Sequence, residues 1–207
     1  MTRHLTSTRR VAAAATLLVT PRLRLRRFTP EDAELLVALD ADPLVMRYVS
    51  RGIATPRNRI VDEILPRWIA GYRPGSCIGY WAAERLGDGR FVGWLHLRPD
   101  RFVTEDMELG YRLRRHDWGA GLATEGSIAL LDRAFRREGI DTVSARTLER
   151  NAASRRVMEK CGLIYDGGFE YPEAMLPGWP RAQRRAVRYV ARRIGWLRRR
   201  GPHDRSG

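Results

Sequence analysis

Residues 117–126 read DWGAGLATEG and run straight into SIALLDRAF, where apolar residues recur at helical spacing. Three glycines and two alanines therefore stand at the start of a helix, just after the strand-like DMELGYRLR. Such a turn permits backbone angles closed to other residues and leaves main-chain N–H groups uncovered, with the partial positive charge of a helix N-terminus behind them. A phosphate could sit against those amides. The turn is neither a P-loop, since no Gly-Lys-Ser/Thr follows, nor the dinucleotide fingerprint, whose wider spacing is absent. Taken alone, it reads as a tight strand-to-helix connection.

The flanking sequence supplies a mixed α/β pattern. TPEDAELLVALDADPLVMRYV opens with Thr29 as N-cap, Pro30 in the first turn and acids beside it. A second helix is predicted from Asn58 to Ala70, followed by the loop GYRPGS. IGYWAAERL and FVGWLHLR, joined through Asp88-Gly89, predict a hairpin, and DMELGYRLR a third antiparallel strand. The helix LATEGSIALLDRAFRREG ends at Gly139, a plausible C′ residue. DTVSARTL and NAASRRVMEKCG follow as strand and helix, and LIYDGGFEY and RRAVRYVARR as closing strands. The expected order is β-α-α-β-β-β-α-β-α-β-β on a mixed sheet, with no internal repeat or linker. At 207 residues and 43% hydrophobic, the chain suffices for one domain.

Residues 20–193 are expected to form that domain, residues 1–19 a poorly ordered leader and residues 194–207 a basic tail. RRVAAAATLLVT superficially resembles a secretory leader, but it lacks a clear small-residue cleavage site and passes directly into the half-buried alternation RLRLRRF. Nothing reaches the ~18 consecutive apolar residues of a membrane span. The formal charge of +14 is almost wholly arginine, Lys160 being the one lysine, and ten arginines face the single acid Asp204 between Arg181 and Gly207. A basic arm for RNA, the ribosome or an anionic cofactor is one reading of that tail; a solvated, compositionally biased segment is the simpler one. Cys77 and Cys161 show neither metal-ligand spacing nor a disulfide framework, which fits a reducing compartment, by default the cytoplasm. His96 and His116 are too isolated for a metal site or a relay, so neither a metal nor a covalent intermediate is expected.

In order and spacing, ELGYRL, WGAGLATEG and RNAASRRVMEKCGL together resemble the GNAT acyl-CoA-dependent N-acetyltransferases, in particular their ribosomal-protein N-terminal acetyltransferase branch. The resemblance extends from about Pro21 to Arg192 and includes TPRLRLRRFTPED at the first strand. It implies the GNAT acyltransferase fold and places the coenzyme A pyrophosphate on the backbone amides of Trp118, Gly119, Ala120, Gly121, Leu122 and Ala123, with Thr124 at the helix start. Trp118 stands where the superfamily usually has Gln or Arg. A grip made by the main chain tolerates that change. Glu125 reads as a residue suited to the helix dipole rather than a cofactor contact.

An amine attacks a thioester only when neutral, and an α-amine, with a reference pKa of ~7.7–8.0, loses its proton far more readily than a lysine at ~10.4. The resemblance places an acid facing the acceptor at Glu108, which makes it the candidate base, directly or through water. Glu105 and Asp106 are neighbours, and strand alternation puts Asp106 on the same face as Glu108, so either of those two could serve. Asn151, Ser154 and Met158 share one helix face. Where many of these enzymes carry a tyrosine acid, this chain has Met158. The branch implies Ser154 as the stand-in that assists the departing thiolate, and Asn151 as a contact to the cofactor or an ordered water; a plain helix cap is the other reading of Asn151. Met158, Cys161 and Leu163 are assigned to packing, as are Trp68, Trp81 and Trp94 before any acceptor pocket.

The expected activity is transfer of an acetyl group from acetyl-CoA to a primary amine, on a protein N-terminus or on a small molecule such as an antibiotic, amino acid or polyamine. A module that binds coenzyme A or RNA without catalysis is the reading from another class. Monomer and homodimer are both open, and no membrane partner is expected.

Overall fold

The computed structural model describes residues 14–201. Eight strands form one sheet in the order β1-β2-β3-β4-β5-β6-β8-β7. They are β1 (Thr16–Val19), β2 (Leu23–Arg27), β3 (Gly79–Arg85), β4 (Phe91–Pro99), β5 (Met107–Leu113), β6 (Thr142–Leu148), β7 (Ile164–Glu170) and β8 (Arg185–Arg192). Neighbours are antiparallel throughout except β5 and β6, which run parallel. A parallel pair needs a crossover, and the chain provides it as α5 (Leu122–Arg137). α6 (Ala152–Lys160) follows β6 in the same way.

Apolar side chains cover both faces of the sheet, which explains why β3 and β4 are buried almost without interruption. One core gathers Leu95, Leu97, Leu109 and Leu113 from the central strands with Leu130, Leu131, Ala134 and Phe135 of α5. On the other face, Ala82 and Trp94 meet Leu36 and Leu39 of α1 (Ala33–Asp40) and Leu65 of α4 (Leu65–Ala70). Between these helices lie the short α2 (Pro43–Met46), capped by the Asp42 carboxylate on the Leu44 amide, and α3 (Arg57–Arg59). The helix expected from Asn58 to Ala70 runs as α3, a π turn over Ile60–Ile64 and α4. Pro66, which has no N–H and would crowd the carbonyl four residues back, accounts for the widened turn.

Two expected boundaries are corrected. Residues 16–19, assigned to the leader, form β1 and pair with β2, with Thr16 opposite Arg26 and Val19 opposite Arg24. Leu17 and Leu18 pack against the main core, which gives the apolar run a place to bury. The earlier part of that leader lies outside the described residues. At the other end, residues 194–200, assigned to a solvated tail, belong to α7 (Arg193–Arg200). A single tryptophan decides it. Trp196 is buried against the Phe135 ring, its indole N–H donates to Asp132 at 2.7 Å, and the Arg200 guanidinium lies 4.4 Å over its ring. Burying such a ring is worth roughly 2–3 kcal/mol, enough to fold an otherwise charged segment. Among the described residues no helix is long and apolar enough to cross a membrane.

Candidate active site

The parallel contact between β5 and β6 is brief. Only Met107 with Val143 and Glu108 with Ser144 are in register, whereas β5 stays paired to β4 through Leu113 and β6 to β8 through Leu148. Beyond Glu108 and Ser144 the two strands part, and the sheet opens as a wedge toward their carboxyl ends. In open α/β sheets the crevice at that end, where connections diverge, is where ligands bind. α5 and α6 both begin there.

The turn into α5 is built as its glycines require. Gly119 and Gly121 have φ of 75° and 78°, and Gly121 is the N-cap. No side chain caps the helix, and within the described residues no hydrogen bond takes up the amides of residues 119–124. Three ties hold this loop from outside. The Trp118 indole N–H donates to the Leu113 carbonyl at 2.9 Å, while half of the ring stays exposed. Asp117 is buried and accepts from Arg90 at 2.9 Å and Arg85 at 3.3 Å, both from the β3–β4 hairpin. Arg22, at the start of β2, donates to the Ala120 carbonyl at 2.8 Å and to the Glu125 carboxylate at 2.6 Å. Glu125 also accepts from the Thr20 hydroxyl and the Arg22 amide, so it anchors the helix to the β1–β2 turn. Burial alone would raise its pKa, but those hydrogen bonds outweigh it and hold the carboxyl below its ordinary value. Glu125 is thus more than a dipole partner. A row of oriented amides beside the Arg22 guanidinium is a fitting seat for a pyrophosphate.

Glu108 and Ser154 sit on opposite faces of the sheet. Glu108 stands directly across from Arg98 on β4 and is ion-paired to it at 2.6 Å. Alternation puts Gly110 and Arg112 on the same face, where Arg112 pairs with Asp40 of α1 at 2.5 Å and lies over the Trp94 ring. Burial pushes the Glu108 carboxyl above its ordinary pKa despite the pull of Arg98, the direction wanted in a group that must take a proton. Asp106, the alternative base, is buried in an ion pair with Arg188 at 2.5 Å.

On the α5–α6 face, the Tyr111 hydroxyl donates to the Ser154 carbonyl at 2.9 Å and lies 3.0 Å from the Ser154 hydroxyl. Burial raises the Tyr111 pKa strongly, so the phenol keeps its proton and serves to position the serine. Asn151 is the N-cap of α6, accepting from the Ser154 amide at 3.3 Å and donating to the Thr147 hydroxyl at 3.0 Å. Both ends of its side chain therefore hold the helix start, the capping alternative for this residue. Met158, Cys161 and Leu163 are buried, as the packing assignment has them.

Tyr111 and Asp117 were not singled out from the sequence, although both lie inside the motifs. Their partners are 43 residues away for Tyr111 and about 30 for Asp117, distances that no spacing rule connects. A tyrosine alternating with Leu109 and Leu113 on a core-facing strand was the available signal, since a buried phenol wants a partner.

A family model for the acetyltransferase (GNAT) domain matches residues 22–164. The FsC-acetyl coenzyme A-N(2)-transacetylase of Aspergillus fumigatus is 33% identical over 196 residues, covering 89% of this chain and 80% of that protein. Among solved structures, the fold resembles the ribosomal L7/L12 alpha-N-protein acetyltransferase in complex with coenzyme A, with a TM-score of 0.71, 16% identity and coverage of 86% and 98%. It also resembles a spermidine N-acetyltransferase from Vibrio cholerae bound to coenzyme A and spermine, with a TM-score of 0.69, 15% identity and coverage of 86% and 99%. At those identities the structural likeness speaks for the fold.

Proposed function

The chain belongs to the GNAT acetyltransferase family, and on that premise we propose that it transfers an acetyl group from acetyl-CoA directly to the α-amine of a protein N-terminus. The observation that carries the acetyl-CoA part of the reading is the row of amides at residues 119–124, which no hydrogen bond takes up among the described residues and which opens onto the wedge between β5 and β6. Acetyl-CoA supplies an activated thioester. The backbone of residues 118–124 would hold its pyrophosphate, with Arg22 fixing the loop through the Ala120 carbonyl.

Within that frame each face of the sheet has one task. Glu108 takes the proton of the attacking amine on the α1–α4 face. Ser154, steadied by Tyr111, hydrogen-bonds the sulfur that leaves on the other face. A thiol with a reference pKa of ~8.5 needs only that much help at neutral pH. The charges that act on Glu108 include Arg98, Arg101 and Arg146, which disfavour a polycationic acceptor such as spermine and leave room for an amine on a neutral or acidic molecule. An α-amine suits the base better than lysine does, because less of it is protonated.

A second reading, an amine on a small molecule, is favoured by the 33% identity to an N(2)-transacetylase along most of this chain. One experiment separates the two. Acetyl-CoA binding is measured by calorimetry, and thiol release is then followed with N-terminal peptides, small amines and spermine. Release driven by peptides supports the first reading, and release driven by small amines alone moves the function to the second. Binding without release from any amine would remove the catalytic reading.

A further inference from the structure

His96 is a buried titratable residue that takes no part in the reaction described above. It is 6% exposed, and neither ring nitrogen has a hydrogen-bond partner among the described residues. An unsatisfied buried polar group costs about 1–3 kcal/mol, so a histidine serving only to fill space here would be worse than an apolar ring. Its place is specific. On β4 it stands across from Tyr80 of β3 and Gly110 of β5, in one row on the face that carries Glu108. A Cβ added at Gly110 would come within 2.5 Å of His96 Cε1 and 2.7 Å of Nε2, so the imidazole occupies the space of the missing side chain. At Gly110, β5 has already left β6. Gly110 itself therefore puts no side chain between the ring and the edge of the wedge.

We propose that His96 positions the acceptor amine: a water taken up beside Gly110 when the acceptor enters donates an O–H to one ring nitrogen and accepts an N–H of the amine, which turns the nitrogen lone pair toward the thioester carbonyl. This inference rests on the acetyltransfer reading given above. In the step so arranged, the C–N bond forms, the C–S bond breaks with its electron pair going to sulfur, and the surplus amine proton goes to Glu108. The imidazole stays neutral throughout. Burial first, and then the charges of Arg98 on β4, Arg101 in the following loop and Arg112 on β5, hold its pKa well below the ordinary value. Tyr80 on β3 touches the ring, Glu108 on β5 lies on the same face of the sheet, and Asp40 on α1 is paired to Arg112. Trp94, two residues back on the same buried face of β4, stacks on the ring at 5.6 Å and 17°.

The test compares full-length wild type, His96→Phe, His96→Gln and Gly110→Ala, using the best amine from the panel. His96→Phe keeps the shape and removes the polar atoms. Its expected signature is a Tm equal to or above wild type, unchanged acetyl-CoA affinity, and a kcat reduced ~100-fold, with the acid limb of the pH profile unmoved. His96→Gln should recover most of the rate, and Gly110→Ala, which evicts the ring, should repeat the loss. Wild-type kcat in His96→Phe would overturn the proposal. So would a rate loss that tracks a lower Tm and weaker acetyl-CoA binding, since that marks a structural role, or a shifted acid limb, since that would make His96 the base. An inactive wild type would bring down the acetyltransfer reading itself, an outcome distinct from active wild type with an indifferent His96→Phe.

Discussion

At the residue scale, the two catalytic assignments differ in kind. Glu108 must be ionised to accept a proton, so activity should fall as pH drops through its raised pKa, and Glu108→Gln should remove that limb while lowering kcat about 10²–10⁴-fold. The same shift has a stability sign. A carboxyl raised in the folded state contributes stability below its unfolded pKa and loses it as pH rises through the folded one, so Glu108→Gln should gain on wild type in denaturant melts as pH approaches neutral. Ser154→Ala is expected to cost at most about 100-fold, because the sulfur leaves with only modest help. Tyr111→Phe should cost less than Ser154→Ala in the same thiol-release assay, and nothing further when both are changed, since the phenol acts through the serine. The glycines of the turn were legible as residues because few others adopt such angles. Tyr111 was not, because its meaning lies in a contact between β5 and α6.

At the element scale, the start of α5 is where the glycine motif and the proposed coenzyme A seat coincide. Gly121→Ala places a side chain at a φ of 78°, a strain of about 1–2 kcal/mol, and should weaken coenzyme A binding in calorimetry while acceptor KM stays near wild type. Glu125→Gln loosens the tie to Thr20 and Arg22. Because the Glu125 pKa is depressed, its contribution is present above the unfolded value and lost as pH falls through the folded one. The Tm gap between wild type and Glu125→Gln should therefore be open at neutral pH and close in acid. Periodicity and turn chemistry made the strands from β2 onward and the major helices readable, with α5 the clearest. They failed at β1, whose TLLV has no alternation to mark a strand, and at α7, where three consecutive arginines hid the one tryptophan that folds the segment.

At the scale of the whole molecule, α7 changes how the arginine-rich end can be tested. Removing everything from Gly195 onward would also remove Trp196 from beneath α5, so lost RNA binding or lost turnover could both follow from unfolding. Trp196→Ala should cost about 3–5 kcal/mol, visible as a lower Tm, and replacing the exposed Arg198 and Arg199 by Gln is the cleaner probe of charge. The order of the sheet lay beyond sequence reading, because nothing local says that β8 inserts between β6 and β7. That order has a mechanical consequence. Five strands, β1 to β5, and three strands, β6, β8 and β7, are two panels stitched by a two-residue seam at Met107 and Glu108. A ligand lodged above the seam becomes a keystone between them. Saturating coenzyme A, at ~100 times Kd, should add about 2.7 kcal/mol to unfolding and slow amide exchange along residues 109–113 and 145–148, the two free rims that it would clamp together.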